Sequence, residues 1–312
     1  MEYRFEKISP EKYKDIQSLK NRSMGYLQDM EDIERKYNTS SFGSRDIGFF
    51  ARDNQNFPAA YYGVFPIRAS YDGKDMIIAQ SGDTMTDPDH RKKGLFTKLA
   101  KETYDFAGKN GISFVFGFPN EFSYPGFKKK LDWIFFGNMQ EFSFQTKAFP
   151  LCELAKKFPK IRPFYKFLLN NRISKYKKEI SEDNIRKFSF EPNTFCIKKD
   201  INFYNYKKGS FKYIVEINGF TLFIKAQTHL YIGDVAKFDT DKTMDFIIAL
   251  NKLSKIVLSK KVVLTVSKTH WLYELLKNQI SPKESLPIGF YKYSNDFPFE
   301  KMIISMSDYD TF

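Results

Sequence analysis

Asp87 to Trp133 reads DPDHRKKGLFTKLAKETYDFAGKNGISFVFGFPNEFSYPGFKKKLDW, and the fold follows from how that stretch is parsed. A basic turn, Arg91-Lys92-Lys93-Gly94, runs straight into a segment in which Leu95, Phe96, Leu99, Ala100, Thr103, Phe106 and Ala107 recur at i, i+3, i+4 spacing. That spacing predicts an amphipathic helix, and Asn110-Gly111 supplies its stop signal. Ile112 to Phe118 is short and apolar, as expected of a strand in a sheet centre. A polar loop, Pro119 to Tyr124, follows; Pro125-Gly126 breaks it, and a short helix reaches Leu131. A turn of backbone N–H groups at a helix N-terminus is an anion site. One arginine and two lysines in that turn indicate a phosphate, and hence a phosphate-bearing cofactor.

The flanks extend the pattern. Residues 10–37 have helical spacing, with Tyr13, Ile16, Leu19, Met24, Leu27 and Met30 as the apolar positions. Ile47 to Ala51, Ala59 to Ala69 and Met76 to Met85 read as three strands, the last two joined by Asp72-Gly73, a hairpin signal. Gly82 inside the third strand predicts a bulge or a close backbone approach. After the central helix and strand, Trp133 to Thr146 is again strand-like. The second half repeats this order. Strands Phe211 to Ile217 and Phe220 to Ala226 flank Asn218-Gly219, and Leu230 to Phe238 is a third. A helix over Asp239 to Ser259, a short strand Val262 to Val266, a helix His270 to Lys277 and closing strands Ile288 to Tyr293 and Met302 to Met306 complete it. A duplicated architecture accounts for this most simply, although no residue-by-residue repeat is visible. The expected fold class is α+β, with two units that are each a mixed, largely antiparallel sheet flanked by helices, the second degenerate. The expected division is 1–146, a basic helical linker 147–190, and 191–312.

With 312 residues, 42% apolar and 18% aromatic, the chain has ample core-forming material. Formal net charge is +13, which fits either a lysine-rich solvated surface or a polyanionic ligand or partner. The charge concentrates in Leu151 to Lys187, with eleven lysines and arginines against four acids. That segment reads as a solvated helix face or as a nucleic-acid or membrane-surface patch. Cys152 and Cys196 cannot form a disulfide framework and read as buried thiols in a reducing compartment. His90, His229 and His270 lack metal-ligand spacing, so no metal is expected. The charged N-terminus lacks the apolar stretch of a signal peptide, and no apolar run approaches membrane-spanning length. A soluble, cytoplasmic protein is the expectation; oligomeric state is not legible.

Together these residues resemble the GNAT (GCN5-related) N-acetyltransferases over roughly residues 1–146. The family signature Arg/Gln-x-x-Gly-x-Gly/Ala is matched at Arg91 and Gly94, with Phe96 standing where a small residue is usual. The run GFPNEFSYPGFKKKLDW is similar to the family's strand–Asn–loop–helix ending, with Asp132-Trp133 in place of Gly-Phe. The whole chain resembles tandem-GNAT proteins. The resemblance implies coenzyme A, and acetyl-CoA as acyl donor. It places the pyrophosphate on Arg91, Lys92, Lys93, Gly94, Leu95 and Phe96, and the pantetheine arm along Thr84, Met85 and Thr86. Asn120 and Ser123 also belong to the implied cofactor site.

Acyl transfer to an amine also needs a neutral nucleophile. An alkylamine of pKa ~10.4 is deprotonated at neutral pH at a cost of about 4.6 kcal/mol, so a base or a water chain to one helps. Asp83 and Glu121 are the candidates for that base, and a backbone N–H of the third strand for the oxyanion donor. Tyr124 is the candidate acid for the leaving thiolate. It is assigned by role, since the family's tyrosine lies nearer Lys128. His90 reads as a phosphate neighbour or plain surface. In the second half the corresponding turn is Asp239-Thr240-Asp241-Lys242-Thr243, glycine-free and with two carboxylates that would repel phosphate; that half is expected to bind no cofactor. The implied function is acetyl transfer to a small-molecule amine, with an amino sugar of surface-polysaccharide assembly the preferred acceptor and nucleic acid disfavoured. Alternatives are a Fem-like aminoacyl transferase using aminoacyl-tRNA, and a non-catalytic polyanion-binding module.

Overall fold

Asp72 and Gly73 both adopt positive φ (50° and 70°), the paired left-handed geometry of a two-residue hairpin turn. They join the two longest strands of the chain. In the computed structural model, which describes residues 2–191, 193–293 and 297–312, these are β3 and β4 of a first compact unit. That unit comprises the chain up to Gly137 together with Leu286–Phe299. Its strands are β1 (Arg4–Lys7), β2 (Ile47–Arg52), β3 (Pro58–Tyr71), β4 (Lys74–Thr86) and β5 (Phe114–Gly117). Neighbours β1 to β4 pair antiparallel, whereas β5 pairs parallel to β4. A parallel pair needs a crossover, here α3 (Leu95–Lys109), capped by Asn110 and followed by left-handed Gly111.

Two cores sandwich this sheet. On one face α3 buries Leu95, Leu99, Ala100, Thr103, Tyr104 and Ala107, against Tyr62, Val64, Val115 and Trp133. On the other, α1 (Tyr13–Met24) and α2 (Met30–Tyr37) pack Ile16, Leu19, Ile33 and Tyr37 against Phe50, Tyr61, Phe65 and Met85. A short α4 (Tyr124–Lys130) leads into β6 (Ile134–Gln145).

The second unit, Asn138–Ser285 with Glu300–Phe312, repeats the topology. Strands Lys212–Ile217, Phe220–Gln227 and His229–Val235 pair antiparallel. Helix Thr243–Val257 then crosses to Lys261–Val266, which is parallel to His229–Val235. Asn218 and Gly219 (φ 49° and 84°) form the expected hairpin turn.

Three expectations are corrected. The units are not divided at residue 146. Residues Gln140 to Gln145 of β6 pair with Lys261–Val266 in the second unit, while Gly289 to Lys292 of the strand Lys283–Lys292 pair with β5 in the first. Each half of the chain thus gives its closing strand to the other unit. Residues 147–190 are not a bare linker. Their helices α5 (Leu151–Lys157) and α6 (Arg162–Ile173) bury Cys152, Ala155, Tyr165, Leu169 and Ile173 in the second core, and the Tyr165 hydroxyl bonds the carbonyls of Ala226 (3.2 Å) and Val257 (3.0 Å). Met302 to Met306 is not a strand. Ile303 and Ser305 form only isolated bridges, because Ser305 and Asp308 close a capping box on the 3-10 turn Met306–Asp308. Both cysteines are buried and unlinked.

Candidate functional site

The approach to the basic turn is fixed by Asp87. Its side chain accepts a hydrogen bond from the Asp89 N–H (3.1 Å) and pairs with Arg22 (2.8 Å). Beyond the 3-10 turn Pro88–His90, Lys92 and Gly94 take left-handed φ of 62° and 73°. Arg91 to Gly94 are exposed. Gly94 occupies the cap position of α3, and no side chain caps that end. The first-turn N–H groups, which no helix can satisfy internally, therefore open onto solvent with the positive end of the helix dipole. A Cβ on Gly94 would meet nothing within 4 Å; it would project into open space and require strained backbone. Such a cradle fits a pyrophosphate.

Phe96, the departure from the family pattern, turns away from this cradle. Its ring packs on Phe127 (5.1 Å between centroids) and Tyr62 (5.9 Å). Gly126 on α4 makes room, since a Cβ there would lie 2.8 Å from the Phe96 ring. Leu95 is buried and anchors the helix start. Arg91 reaches the Ser23 carbonyl at 3.4 Å, and the Lys93 ammonium the Asp89 carbonyl at 3.1 Å.

Next to this turn, β4 parts from β5. Their parallel pairing consists of Ala79↔Val115 and Gln80↔Phe116, whereas β4 continues to Thr86 and β5 stops at Gly117. The Tyr62↔Thr84 and Val64↔Ser81 registers leave Gly82 and Asp83 opposite the single residue Gly63, which is the bulge foreshadowed by Gly82. The bulge re-aims side chains: Ser81 bonds Tyr62 on the α3 face, whereas Asp83 meets α1 and α2 on the other. Thr84 and Thr86 are half-buried, and Met85 is buried in the α1/α2 core.

Asp83 is 7% exposed and accepts hydrogen bonds from Lys20 (3.0 Å), Lys36 (2.9 Å) and the Tyr37 hydroxyl (3.0 Å). Burial alone would raise its pKa; the two ammonium groups more than reverse that and hold the carboxyl well below the usual carboxylate range. So acidic a group accepts a proton poorly, which fits an ion-pair anchor and not a general base. The second unit makes the same point. Gly233-Asp234 sits at a register shift between His229–Val235 and its neighbour. Asp234 there is paired with Lys199 (3.2 Å) and accepts from the Tyr204 hydroxyl (3.0 Å). A Gly-Asp pair held by lysine and a tyrosine hydroxyl, two lysines at Asp83 and one at Asp234, thus recurs in a unit whose Asp239 to Thr243 turn has no left-handed glycine and closes on itself through Lys242–Asp239 (3.1 Å).

Asn120 is exposed, and its side-chain carbonyl is engaged by the N–H groups of Phe122 (3.1 Å) and Ser123 (3.0 Å) and by the Ser123 hydroxyl (3.1 Å). Glu121 is exposed. Tyr124 is half-buried at the start of α4, 4.6 Å from Phe135 between ring centroids, with the Lys128 ammonium 5.6 Å from its ring. His90 is buried, bonded to the Tyr3 hydroxyl (2.9 Å) and 3.8 Å from Asp53, so it is not plain surface.

The sequence reading missed a chain of hydroxyls. Trp133 Nε1 donates to the Tyr104 oxygen (3.0 Å), Tyr104 and Tyr62 share a 2.7 Å bond, and Tyr62 and Ser81 another of 2.7 Å. Indole is only a donor. The direction that satisfies every buried O–H runs from Tyr104 to Tyr62 to Ser81, leaving the Ser81 hydroxyl proton to donate outward. Burial raises the pKa of both tyrosines, so both remain donors. Ser81 is half-buried at the point where β4 leaves β5. A Cβ on Gly117 would come within 3.2 Å of the Ser81 Cβ and of the Trp133 ring, so glycine is needed for this approach. Tyr62 and Tyr104 lie 42 residues apart, and no local pattern in one sequence announces such a pairing.

Residues 4–135 match the family model of the GNAT acetyltransferase domain. A search of curated protein sequences finds no match to the chain. Solved structures share its fold. A GCN5-related N-acetyltransferase from Kribbella flavida aligns with a TM-score of 0.58 at 11% identity, covering 93% of this chain and 71% of its own. A probable N-acyltransferase from Enterococcus faecalis gives 0.58 at 10%, covering 94% and 73%. The N-myristoyltransferase of Saccharomyces cerevisiae, with myristoyl-CoA bound, gives 0.53 at 12%, covering 93% and 82%. At such identities the likeness is one of fold. Residues 4–135, with their uncapped basic helix start beside a parting pair of strands, thus match as a GNAT acetyltransferase domain, and the remainder of the chain shares the fold of the solved structures.

Proposed function

We propose that the first unit moves an acetyl group from acetyl-CoA to the amine of a small acceptor, with an amino sugar, nucleotide-linked in surface-polysaccharide assembly, as the preferred acceptor. The observation that carries this reading is the α3 N-terminus: left-handed Gly94, no side-chain cap, and Arg91, Lys92 and Lys93 exposed around it. When bound, acetyl-CoA supplies an activated acyl group and a thiol leaving group. The N–H groups following Gly94 hold the pyrophosphate. The backbone of Thr84 to Thr86, beyond the last β4–β5 pairing, hydrogen-bonds the pantetheine arm, and Asn120 and Ser123 flank it. Ser81 donates a hydrogen bond from its hydroxyl to the acyl oxygen as negative charge gathers there, keeping its proton. Glu121, directly or through water, takes the proton from the amine, and Tyr124 returns one to sulfur. Asp83 fixes the bulge and stays ionised. The Saccharomyces neighbour binds myristoyl-CoA, so acyl length belongs in the test.

Thiol release from acetyl-, butyryl- and myristoyl-CoA, measured against a panel of amines that includes amino sugars and nucleotide amino sugars, tests the reading. Acetyl-CoA turnover stimulated by an amino sugar is the expected result. Transfer from aminoacyl-tRNA without any response to acyl-CoA overturns it in favour of a Fem-like reaction.

A further inference from the structure

The outer surface of α5, α6 and the turns beside them remains unexplained by acyl transfer. Phe149, Phe158, Phe164 and Phe167 stand 62%, 51%, 60% and 65% exposed, four of the eleven exposed large hydrophobic side chains among the described residues. Scattered apolar exposure is ordinary, but clustered exposure marks an interaction surface. Phe164 and Phe167 share one side of α6 at i, i+3 spacing, while Tyr165 and Leu169 of the same helix are buried. Its outward side therefore carries aromatic rings where a solvated helix carries polar groups. Burial of Cys152 and Ala155 below α5 and the bonds of Tyr165 to Ala226 and Val257 fix the scaffold that holds these rings out.

The remainder of the surface is cationic. Lys147, Lys156, Lys157, Lys160, Arg162 and Lys166 are all exposed. The one acid in the interval, Glu153, is turned inward to the Ser259 hydroxyl and the Lys260 N–H, both at 2.9 Å. The remaining exposed positions from Lys147 to Phe167 are Pro159 and Pro163. From Lys147 to Phe167 every exposed side chain is thus cationic or apolar; the neutral polar ones of α6, Asn170 and Asn171, are confined to its last turn, where Asn170 accepts from the Tyr213 hydroxyl (2.7 Å). Nucleic-acid interfaces draw on Ser, Thr, Asn and Gln as well as on cations. A bilayer interface needs only charge for its headgroups and apolar groups for its acyl boundary. No helix among the described residues is long and apolar enough to cross a membrane, so the contact would be peripheral.

We infer that this face docks the protein onto anionic lipid bilayers, with the four phenylalanines entering the acyl boundary and the six cations pairing with headgroup phosphates. Docking would hold the second unit on the membrane surface, independently of whether the first transfers acyl groups.

Flotation of the full chain with phosphatidylglycerol-containing vesicles, and with phosphatidylcholine alone, tests this. Binding to the anionic vesicles only, weakened by salt, is expected. Phe164→Ser with Phe167→Ser should lower partitioning about tenfold or more, the scale of withdrawing two rings from an apolar phase. Lys156→Gln with Lys157→Gln and Lys160→Gln should remove the preference for anionic lipid. Because all these side chains are exposed, melting curves should be unchanged. Failure to float, or flotation indifferent to both sets of variants, overturns the proposal. So does single-stranded RNA binding that the same variants abolish while vesicle binding is absent, or self-association that buries the face.

Discussion

Ser81 and Asp83 stand two positions apart on β4, yet a single bulge sends them to opposite faces and to different duties. Ser81 ends a hydroxyl chain whose direction is set by the Trp133 N–H. Ser81→Ala should lower kcat about a hundredfold, the usual cost of removing one preorganised oxyanion donor, with little change in KM for acetyl-CoA. Tyr62→Phe breaks the chain one step back and should give a smaller loss of the same kind; steady-state kinetics distinguishes this from a folding defect. Asp83 should behave in the opposite way. Asp83→Asn leaves Lys20 and Lys36 without their carboxylate and should cost about 3–5 kcal/mol of stability, with turnover retained in the folded fraction. The pH dependence has a definite sign. The folded pKa of Asp83 lies below its unfolded value, so its contribution is complete above the ordinary carboxylate range near 3.9 and is lost as pH falls through the lowered folded value. Denaturant melts across that range should show wild type losing stability steeply and Asp83→Asn less so. Asp83 looked like a base in the sequence because a carboxylate in a central strand carries no mark of its partners. Lys20 and Lys36 lie 63 and 47 residues away.

At the scale of elements, the periodic stripe of α3, the left-handed turns at Asp72-Gly73 and Asn218-Gly219, and the bulge at Gly82 were all legible, because each is a local consequence of side-chain spacing or backbone freedom. The role of Phe96 was not. Its large ring is accommodated by Gly126 on α4, where a Cβ would sit 2.8 Å away. Gly126→Val should therefore push α4 from α3, costing about 1–3 kcal/mol by overpacking. It should also weaken acetyl-CoA binding, since the loop before α4 carries Asn120. Thermal melts and calorimetry on this variant check both effects; an unchanged affinity would separate α4 from the cofactor site.

Across the whole molecule, the repeated strand order was readable but the ownership of its last strands was not. Both closing segments read locally as strands, and which sheet each joins depends on non-local pairing that local pattern does not encode. In the first unit the returning segment pairs with β5 and stacks Tyr291 on Tyr104 at 4.3 Å, while the Tyr293 hydroxyl bonds the Tyr104 carbonyl (2.9 Å). A fragment ending at residue 146 leaves that edge of β5 and that face of Tyr104 uncovered. It should be aggregation-prone and lack a cooperative melt, and co-expression with residues 286–312 should restore solubility. A fragment that folds cooperatively alone would refute the exchange.

Of the two similar units, only the one carrying Arg91 to Phe96 has an open, left-handed glycine at its helix start. Isothermal titration calorimetry with acetyl-CoA on the intact chain tests that claim most directly. The account predicts one molecule bound per chain, and loss of binding in Gly94→Asp, whose carboxylate would enter the phosphate cradle, without a fall in melting temperature large enough to unfold the protein. Absence of binding by the wild-type chain, two molecules bound, or unaltered affinity in a folded Gly94→Asp would contradict it.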